Sequence, residues 1–249
     1  MSPNGVNPPP TTTDEESTVA QPSPQRPPSR RDRYRAETRD EAKRLALGQL
    51  ATGGQSALSL NAIARELGMT GPALYRYFAG RDDLLTALII DAYEDLGTTL
   101  TRAVAAAPDG PDEQLRTLGR TMRAWALAQP HRYLLLFGTP FSGYRAPDAA
   151  VQAAQASIGA VMEAMVDIQS RRGRPEAPET PLERQLERAP WIPDELQGAI
   201  PGAVLADVLL TWTRLHGLIG LEVNGQFATM GFDPELLLER ELDEIVREG

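Results

Sequence analysis

The stretch that most restricts the fold of this chain is residues 59–78, SLNAIARELGMTGPALYRYF. Apolar side chains in its first half recur at i, i+3, i+4 and i+7, the spacing of one buried helix face: Leu60, Ile63, Ala64 and Leu67. Gly68 follows, where helices often end in a left-handed residue. A second short stretch then runs to Phe78. The pattern predicts two short helices joined by a tight glycine turn, which is helix-turn-helix spacing.

The second short helix has a predicted buried side and a predicted exposed side. Leu74 and Phe78 lie one turn apart, so we expect both to pack into a small core with the preceding helices. At about 100° per residue, Pro72 and Arg76 then point away from that core. Arginine binds guanine O6 and N7 bidentately in the major groove, and small neighbours permit close approach. This face predicts DNA recognition; an ordinary αα-hairpin is the structural alternative.

Both short helices begin at a residue suited to capping. Ser59 precedes the first and Thr70 the second, and hydroxyl side chains are good N-caps. The start of the second helix also offers free N–H groups and a positive dipole end to a phosphate, with the Thr70 hydroxyl beside them.

The rest of the chain has helical rather than alternating periodicity, so we expect an all-α fold. A Pro-rich and charged segment at residues 171–194 is expected to be a long loop with a little helix inside. The expected helices are residues 35–52, 60–67, 70–78, 82–106, 111–128, 131–138, 147–169, 201–230 and 234–247.

Composition narrows the class of protein. Residues 1–30 are rich in Pro, Ser, Thr and Gln and are expected to form a disordered tail, without the apolar core of a signal peptide. The chain has no cysteine and two histidines, so a closed zinc site and a thiol nucleophile are not expected. No catalytic constellation is recognisable. We expect a cytoplasmic protein that is not an enzyme, with no cofactor, no metal and no membrane span.

Charge is distributed unevenly along the chain. The net charge is −9, yet residues 30–81 contain ten Lys and Arg against five Asp and Glu. A basic N-terminal segment on an acidic body indicates local contact with an anion such as DNA. The alternative is ordinary solvated helix surface. An Arg-rich arm, RPPSRRDRYRAETR, precedes the helix-turn-helix and is either a solubilising tail or a further phosphate or minor-groove contact.

Residues 59–85, SLNAIARELGMTGPALYRYFAGRDDLL, closely resemble the DNA-binding motif of the tetracycline-repressor family, SLxxIAxxxGVSxGxLYxHFxxKxxLL. In this chain Tyr77 replaces the common His and Arg81 replaces the usual Lys. The resemblance implies an N-terminal three-helix DNA-binding domain at residues 31–85 and a helical ligand-binding and dimerisation domain at 86–249. It implies phosphate contacts by Ser59, Thr70, Tyr75, Tyr77 and Arg81, and base-facing positions at Gly71, Pro72, Ala73 and Arg76.

The C-terminal half resembles one branch of that family. ALAQPHRYLLLFG resembles its Pro-x-x-Tyr-x-x-x-Phe-Gly segment, and TWTRLHGLIGLEVNGQF its Trp-x-x-x-His-Gly segment. The resemblance implies a pocket for an apolar or amphipathic small molecule; simple filling of the core is the alternative for each bulky side chain. The candidate lining residues are Met122, Trp125, Phe137, Met162, Met165, Trp212 and His216.

The helix expected at 201–230 is apolar on more than one side, which is typical of a helix buried on more than one side, and the last helix adds Leu238, Leu242, Ile245 and Val246. We expect both helices to pair with the same helices of a second copy, and Leu242 and Ile245 to lie in that interface. A monomeric bundle is the alternative. Together these features predict a homodimeric transcriptional repressor that binds an inverted-repeat operator and is released by a ligand. A transcriptional activator on the same scaffold, or a ligand-binding protein without an operator, remains open.

Overall fold

The computed structural model describes residues 29–172, 180–189 and 198–248, and every regular element within these ranges is helical. The fold class expected from periodicity is therefore confirmed. The expected tail at residues 1–30 lies outside the described residues except for its last two positions. Half of the expected loop at 171–194 also lies outside them; its described half includes the short helix α8 (Pro181–Leu186).

The N-terminal head consists of α1 (Arg30–Gly53), α2 (Leu60–Glu66) and α3 (Gly71–Leu74). The sequence-based start of α1 at residue 35 was wrong. The helix begins at Arg30 because Ser29 and Asp32 form a capping box, in which the Ser29 hydroxyl accepts from the Asp32 N–H and the Asp32 carboxylate accepts from the Ser29 N–H.

The turn between α2 and α3 has the predicted geometry. Ser59 caps α2 by accepting a hydrogen bond from the Ala62 N–H at 3.3 Å. Gly68 has φ = 67°, the left-handed conformation that glycine adopts without strain. Helix α3 is shorter than predicted, because residues 75–77 form a turn whose N–H groups reach back to α3, including Tyr77 N to Leu74 O at 2.8 Å.

The long helix α4 (Arg81–Ala106) connects the head to the body. Its first turns contribute Leu84, Leu85 and Leu88 to the head core, and its later turns contribute Leu96 and Leu100 to the body core. The remaining body helices are α5 (Pro111–Ala128), α6 (Pro130–Phe137), α7 (Asp148–Arg172), α9 (Gly202–Val223) and α10 (Pro234–Glu248). One helix therefore contributes side chains to both cores, so a shift of α4 in the body also affects the head.

Helix α9 ends at Val223 rather than at the predicted residue 230. Asn224 occupies the C-cap and its side chain donates to the Gly220 carbonyl at 2.8 Å. Gly225 follows with φ = 72°, which ends the helix.

Helix α10 packs on α5 within the same protomer. Leu242 is fully buried and Ile245 is 5% exposed, both in the body core, so their expected place in the dimer interface was wrong. The two helices approach closely at Gly119, where an added Cβ would lie 2.7 Å from Leu242 Cδ2. Arginines of α5 bind acids on α10 and α9 along this contact: Arg116 to Asp243, Arg120 to Glu239 and Arg123 to Glu222.

Helices α7 and α9 are long and apolar enough to cross a membrane, judged by length and composition alone. Core helices of soluble proteins pass the same test. Here α7 contributes Val161, Met165 and Ile168 to the body core, and α9 contributes a similar row, Val208, Leu215 and Ile219. Packing within the protomer therefore accounts for part of their apolar composition, since 17% of the apolar stretch of α7 and 39% of that of α9 is buried.

Candidate nucleic-acid interface and ligand-binding residues

The segment from α3 to Phe78 has one buried face and one exposed face. Leu74 and Phe78 are fully buried in the head core. Pro72, Tyr75 and Arg76 are exposed, and Tyr75 keeps 49% of its surface accessible. This is the orientation that the periodicity predicts. The exposed face presents one guanidinium, the group that most often contacts guanine in a major groove, together with Pro72 and the Tyr75 ring.

Two arginines of α1 support the end of this face. Arg35 Nη2 donates to the Arg76 carbonyl at 3.2 Å, and Arg39 Nη1 donates to the Tyr77 carbonyl. The Arg39 guanidinium also lies 4.3 Å from the centroid of the Phe78 ring. These contacts provide donors for two carbonyls of the turn that follows α3. They hold the backbone of Arg76 in place while its side chain stays exposed.

Sequence reasoning placed Arg35 and Arg39 in the Arg-rich arm, as a solubilising tail or a DNA contact, and did not identify them as supports of the backbone after α3. The signal available was their i, i+4 spacing, which places both on one face of α1. That they reach α3 depends on how the helices cross, which the pattern does not give.

The start of α3 matches an anion-binding helix end in several respects. Thr70 is the N-cap residue, is exposed, and makes no side-chain cap hydrogen bond. Gly71 fits against α2, since an added Cβ would lie 2.9 Å from Asn61 Oδ1. Of the remaining predicted phosphate-contacting residues, Ser59 caps α2, Tyr77 lies in the turn after α3 and Arg81 begins α4; all three are partly exposed.

The structure brings three of the seven predicted ligand-binding residues into one aromatic cluster. The His216 ring lies 4.3 Å from Phe137 and 4.3 Å from Trp212, measured between ring centroids. Tyr133 and Tyr93 complete the cluster, with Tyr133 at 5.3 Å and Tyr93 at 6.4 Å from the Phe137 ring. Neither tyrosine was predicted. Tyr133 was detectable because it lies one turn before Phe137 on α6.

His216 has one ring nitrogen bonded and one without a partner. Nδ1 lies 3.0 Å from the Tyr133 hydroxyl oxygen. Nε2 is buried and has no hydrogen-bond partner among the described residues. Burial lowers the pKa of His216 to about 4 and raises the pKa of Tyr133 to about 12, so both side chains are neutral at pH 7. The cluster therefore contains one unsatisfied polar atom in an aromatic setting.

The other four predicted ligand-binding residues lie elsewhere in the body. Met122 and Met165 are fully buried in its core, and Met162 packs against that core. Trp125 is directed to α4, where its indole N–H donates to Asp95 Oδ2 at 2.8 Å.

A cleft of about 560 Å³ lies between the head and the body. The C-terminal end of α1, helix α6, the segment after α6 and Asn224 line it, and none of the seven predicted ligand-binding residues does. Its side chains are mainly apolar with a few polar groups: Leu50, His131, Leu134, Leu135, Thr139, Pro140, Phe141 and Asn224. Within the described ranges, no group of three His, Asp or Glu side chains is placed to hold a metal ion.

Comparison with known proteins agrees with this architecture. Residues 44–88 match the family described as bacterial regulatory proteins, tetR family, and residues 115–245 match the tetracyclin repressor-like C-terminal domain. The chain is 36% identical over 209 residues to the HTH-type transcriptional regulator Rv1816 of Mycobacterium tuberculosis, spanning 80% of this chain and 87% of the relative. The relative Mb1846 of Mycobacterium bovis gives the same values.

Solved structures show the same fold. Regulatory protein SCO4313 is 43% identical, with a TM-score of 0.74 over 87% of this chain and 98% of its own. The regulator FadR from Bacillus subtilis, solved in complex with stearoyl-CoA, shares the fold alone, at 10% identity and a TM-score of 0.57 over 84% of this chain and 98% of its own. The two matched domains and the relatives show that the chain belongs to the tetracycline-repressor family of helix-turn-helix transcriptional regulators.

Proposed function

We propose that this regulator is a homodimeric repressor that binds an inverted-repeat operator and releases it when a small apolar or amphipathic effector binds the body. The observation that carries the proposal is the outward face around α3, with Arg76 exposed between the buried anchors Leu74 and Phe78.

In this proposal the head docks with α3 in a major groove. Arg76 reads a guanine, and Gly71, Pro72 and Ala73 pack close to the base edges. Phosphate contacts from the surrounding residues fix the register on the duplex without reading sequence. These residues are Ser59, Thr70, Tyr75, Tyr77 and Arg81.

A symmetric dimer is supported by a face of α9 that exposes two leucines and also carries the partly exposed Arg214. Leu210 and Leu221 are 49% and 48% exposed, although the opposite side of the helix lies in the core. Gly217 lies between them on the same face, and an added Cβ there would meet nothing within 4 Å. A second copy can therefore approach closely at this position. This face replaces the dimer interface expected at Leu242 and Ile245. Pairing about a two-fold axis implies an operator with two half-sites of opposite direction.

Effector binding is proposed at the aromatic cluster around His216. A buried polar group without a partner costs about 1–3 kcal/mol, which a hydrogen-bonding ligand would recover. The Tyr133 hydroxyl lies 3.0 Å from Nδ1 and 3.4 Å from the His216 carbonyl oxygen, so its proton can go to either. The tautomer of the neutral ring follows from that choice, and the matching ligand group at Nε2 is an acceptor in one tautomer and a donor in the other. The surrounding aromatic rings match an apolar ligand body.

Helix α6 is the proposed connection from this cluster to the head. It carries Tyr133 and Phe137 in the cluster, while its Leu135 packs against the head core. The segment after α6 adds a second contact, because the Tyr144 hydroxyl lies 2.9 Å from Thr86 Oγ1 on α4. A ligand that displaces Phe137 therefore moves an element that touches both cores.

The experiment is selection of duplexes bound by the purified full-length protein from a random pool, followed by sequencing. We expect one enriched inverted repeat whose half-sites each contain a guanine sensitive to substitution. Recovery of no common sequence would contradict operator binding and favour a ligand-binding protein without an operator.

A further inference from the structure

The first two turns of α1 extend beyond the head core. Residues 30–37, defined here as the basic extension, are all exposed, and the first buried residue of the helix is Thr38. The capping box at Ser29 and Asp32 fixes the start of the extension as helix rather than tail. Two turns of helix with no buried side chain gain little from packing. Their residues are therefore available to a partner.

The basic extension carries four arginines: Arg30, Arg31, Arg33 and Arg35. Its two acids are Asp32, which is engaged in the capping box, and Glu37. No carboxylate in the described part of the chain lies within salt-bridge distance of the first three arginines. In contrast, Arg44 further along α1 pairs with Glu41, and Lys43 pairs with Asp40 and Asp91. Four arginines less two acids leave the extension a net charge of +2, and no carboxylate outside it among the described residues forms an ion pair with these arginines.

The position of the extension is fixed by its contact with the turn that follows α3. Arg35 bonds the Arg76 carbonyl, and its guanidinium lies 5.6 Å from the Tyr77 ring centroid. Arg31 lies one turn earlier on the same face of α1, about 6 Å further along the helix axis. Successive phosphates of one DNA strand advance about 3.4 Å along the duplex axis. With α3 docked in a major groove as proposed above, Arg31 would lie beside backbone phosphates next to the one that Tyr77 contacts.

We propose that the basic extension binds the DNA backbone immediately outside the base pairs that α3 contacts, lengthening each half-site without adding base recognition. The inference rests on the proposed operator binding and adds a second DNA-binding surface to it. Guanidinium groups form charge-assisted bonds with phosphate oxygens, and each such bond increases the dependence of affinity on salt.

The test compares two triple variants of the full-length protein. In the extension variant, Arg30, Arg31 and Arg33 are changed to Gln. In the control, three exposed arginines of the body are changed to Gln, which removes the same charge far from the head: Arg102, Arg188 and Arg240. The probes are duplexes recovered by selection from a random pool, prepared with six added base pairs on each side or ending at the conserved half-sites.

We expect the wild type to bind the longer duplex more tightly than the shorter one, and the extension variant to bind both equally. The slope of log K against log salt should fall by about 0.9 for each phosphate that the variant no longer neutralises, hence by about 2 for one phosphate per protomer. Base preference should not change, because phosphate contacts carry no sequence information. The control should keep the wild-type slope and length dependence.

An extension variant with the wild-type slope and length dependence would overturn this inference alone. A control variant that lost as much affinity and slope as the extension variant would also overturn the inference, because the change in net charge would then explain the effect. A wild type that binds neither duplex would instead overturn operator binding, and the inference with it.

Discussion

His216 provides a test of the body that needs no knowledge of operator or effector. Its pKa is lowered to about 4 because burial penalises the imidazolium, whereas an unfolded chain has a histidine pKa of about 6.5. Between these values the unfolded chain binds more protons than the folded one. Stability is therefore retained above pH 6.5 and lost as pH falls through this window.

The magnitude follows from the two pKa values. One unit of pKa difference corresponds to about 1.4 kcal/mol, so lowering the pH from 7 to 5 should reduce the free energy of unfolding by about 2 kcal/mol through this residue. The chain has one other histidine, the exposed His131, which serves as the matched control. Other titrating groups contribute equally to each variant and cancel in the comparison.

The assay is urea unfolding of the wild type, His216→Gln and His131→Gln at pH 7 and pH 5. The loss of stability on acidification should be about 2 kcal/mol smaller in His216→Gln than in the wild type. His131→Gln should follow the wild type. Equal pH dependence in all three proteins would refute the burial of a neutral His216, and with it the unsatisfied Nε2 on which the proposed effector contact depends.

The remaining predictions concern the core, the dimer and the effector. Leu242→Ala should lower the free energy of unfolding by about 2–5 kcal/mol, because the side chain is fully buried against Gly119; a decrease below about 1 kcal/mol in urea unfolding would contradict that packing. Leu210→Lys with Leu221→Lys should sediment as a monomer, whereas Leu182→Lys, at a similarly exposed leucine on α8, should remain dimeric; a dimer in both cases would place the interface elsewhere. An effector that weakens operator binding a hundredfold requires about 2.7 kcal/mol of coupling, so operator must weaken effector binding by the same factor in calorimetry; equal effector affinity with and without operator would show that the ligand is no inducer.

Local signals in the sequence were enough to predict the helix-turn-helix. The cap at Ser59, the turn at Gly68 and the anchors Leu74 and Phe78 each depend on neighbours within a few residues. The start of α1 was missed because the prediction followed apolar periodicity, and the first two turns of this helix have no apolar face. The capping pair Ser29 and Asp32 was the signal that could have corrected it.

The limits of the sequence appear in the body. Periodicity shows that α9 is apolar on several sides and that α10 has an apolar stripe, but it does not say which of these surfaces meets the protomer and which meets a partner. Leu242 was assigned to the partner and lies against Gly119 of its own chain. The aromatic cluster joins α4, α6 and α9, with Tyr93 and Trp212 more than a hundred positions apart, so only the packed structure brings it together.

The most direct measurement of the central claim is base preference of the wild type and Arg76→Ala, selected in parallel from one random duplex pool. Arg76 is exposed on the outward face, while its backbone is held by Arg35. The variant should lose about 1–3 kcal/mol on the wild-type operator and lose preference at a single guanine position in each half-site, with the rest of the inverted repeat unchanged. An Arg76→Ala protein that selects the wild-type sequence with the same preference at every position would contradict the account, because the exposed face of α3 would then not read the DNA.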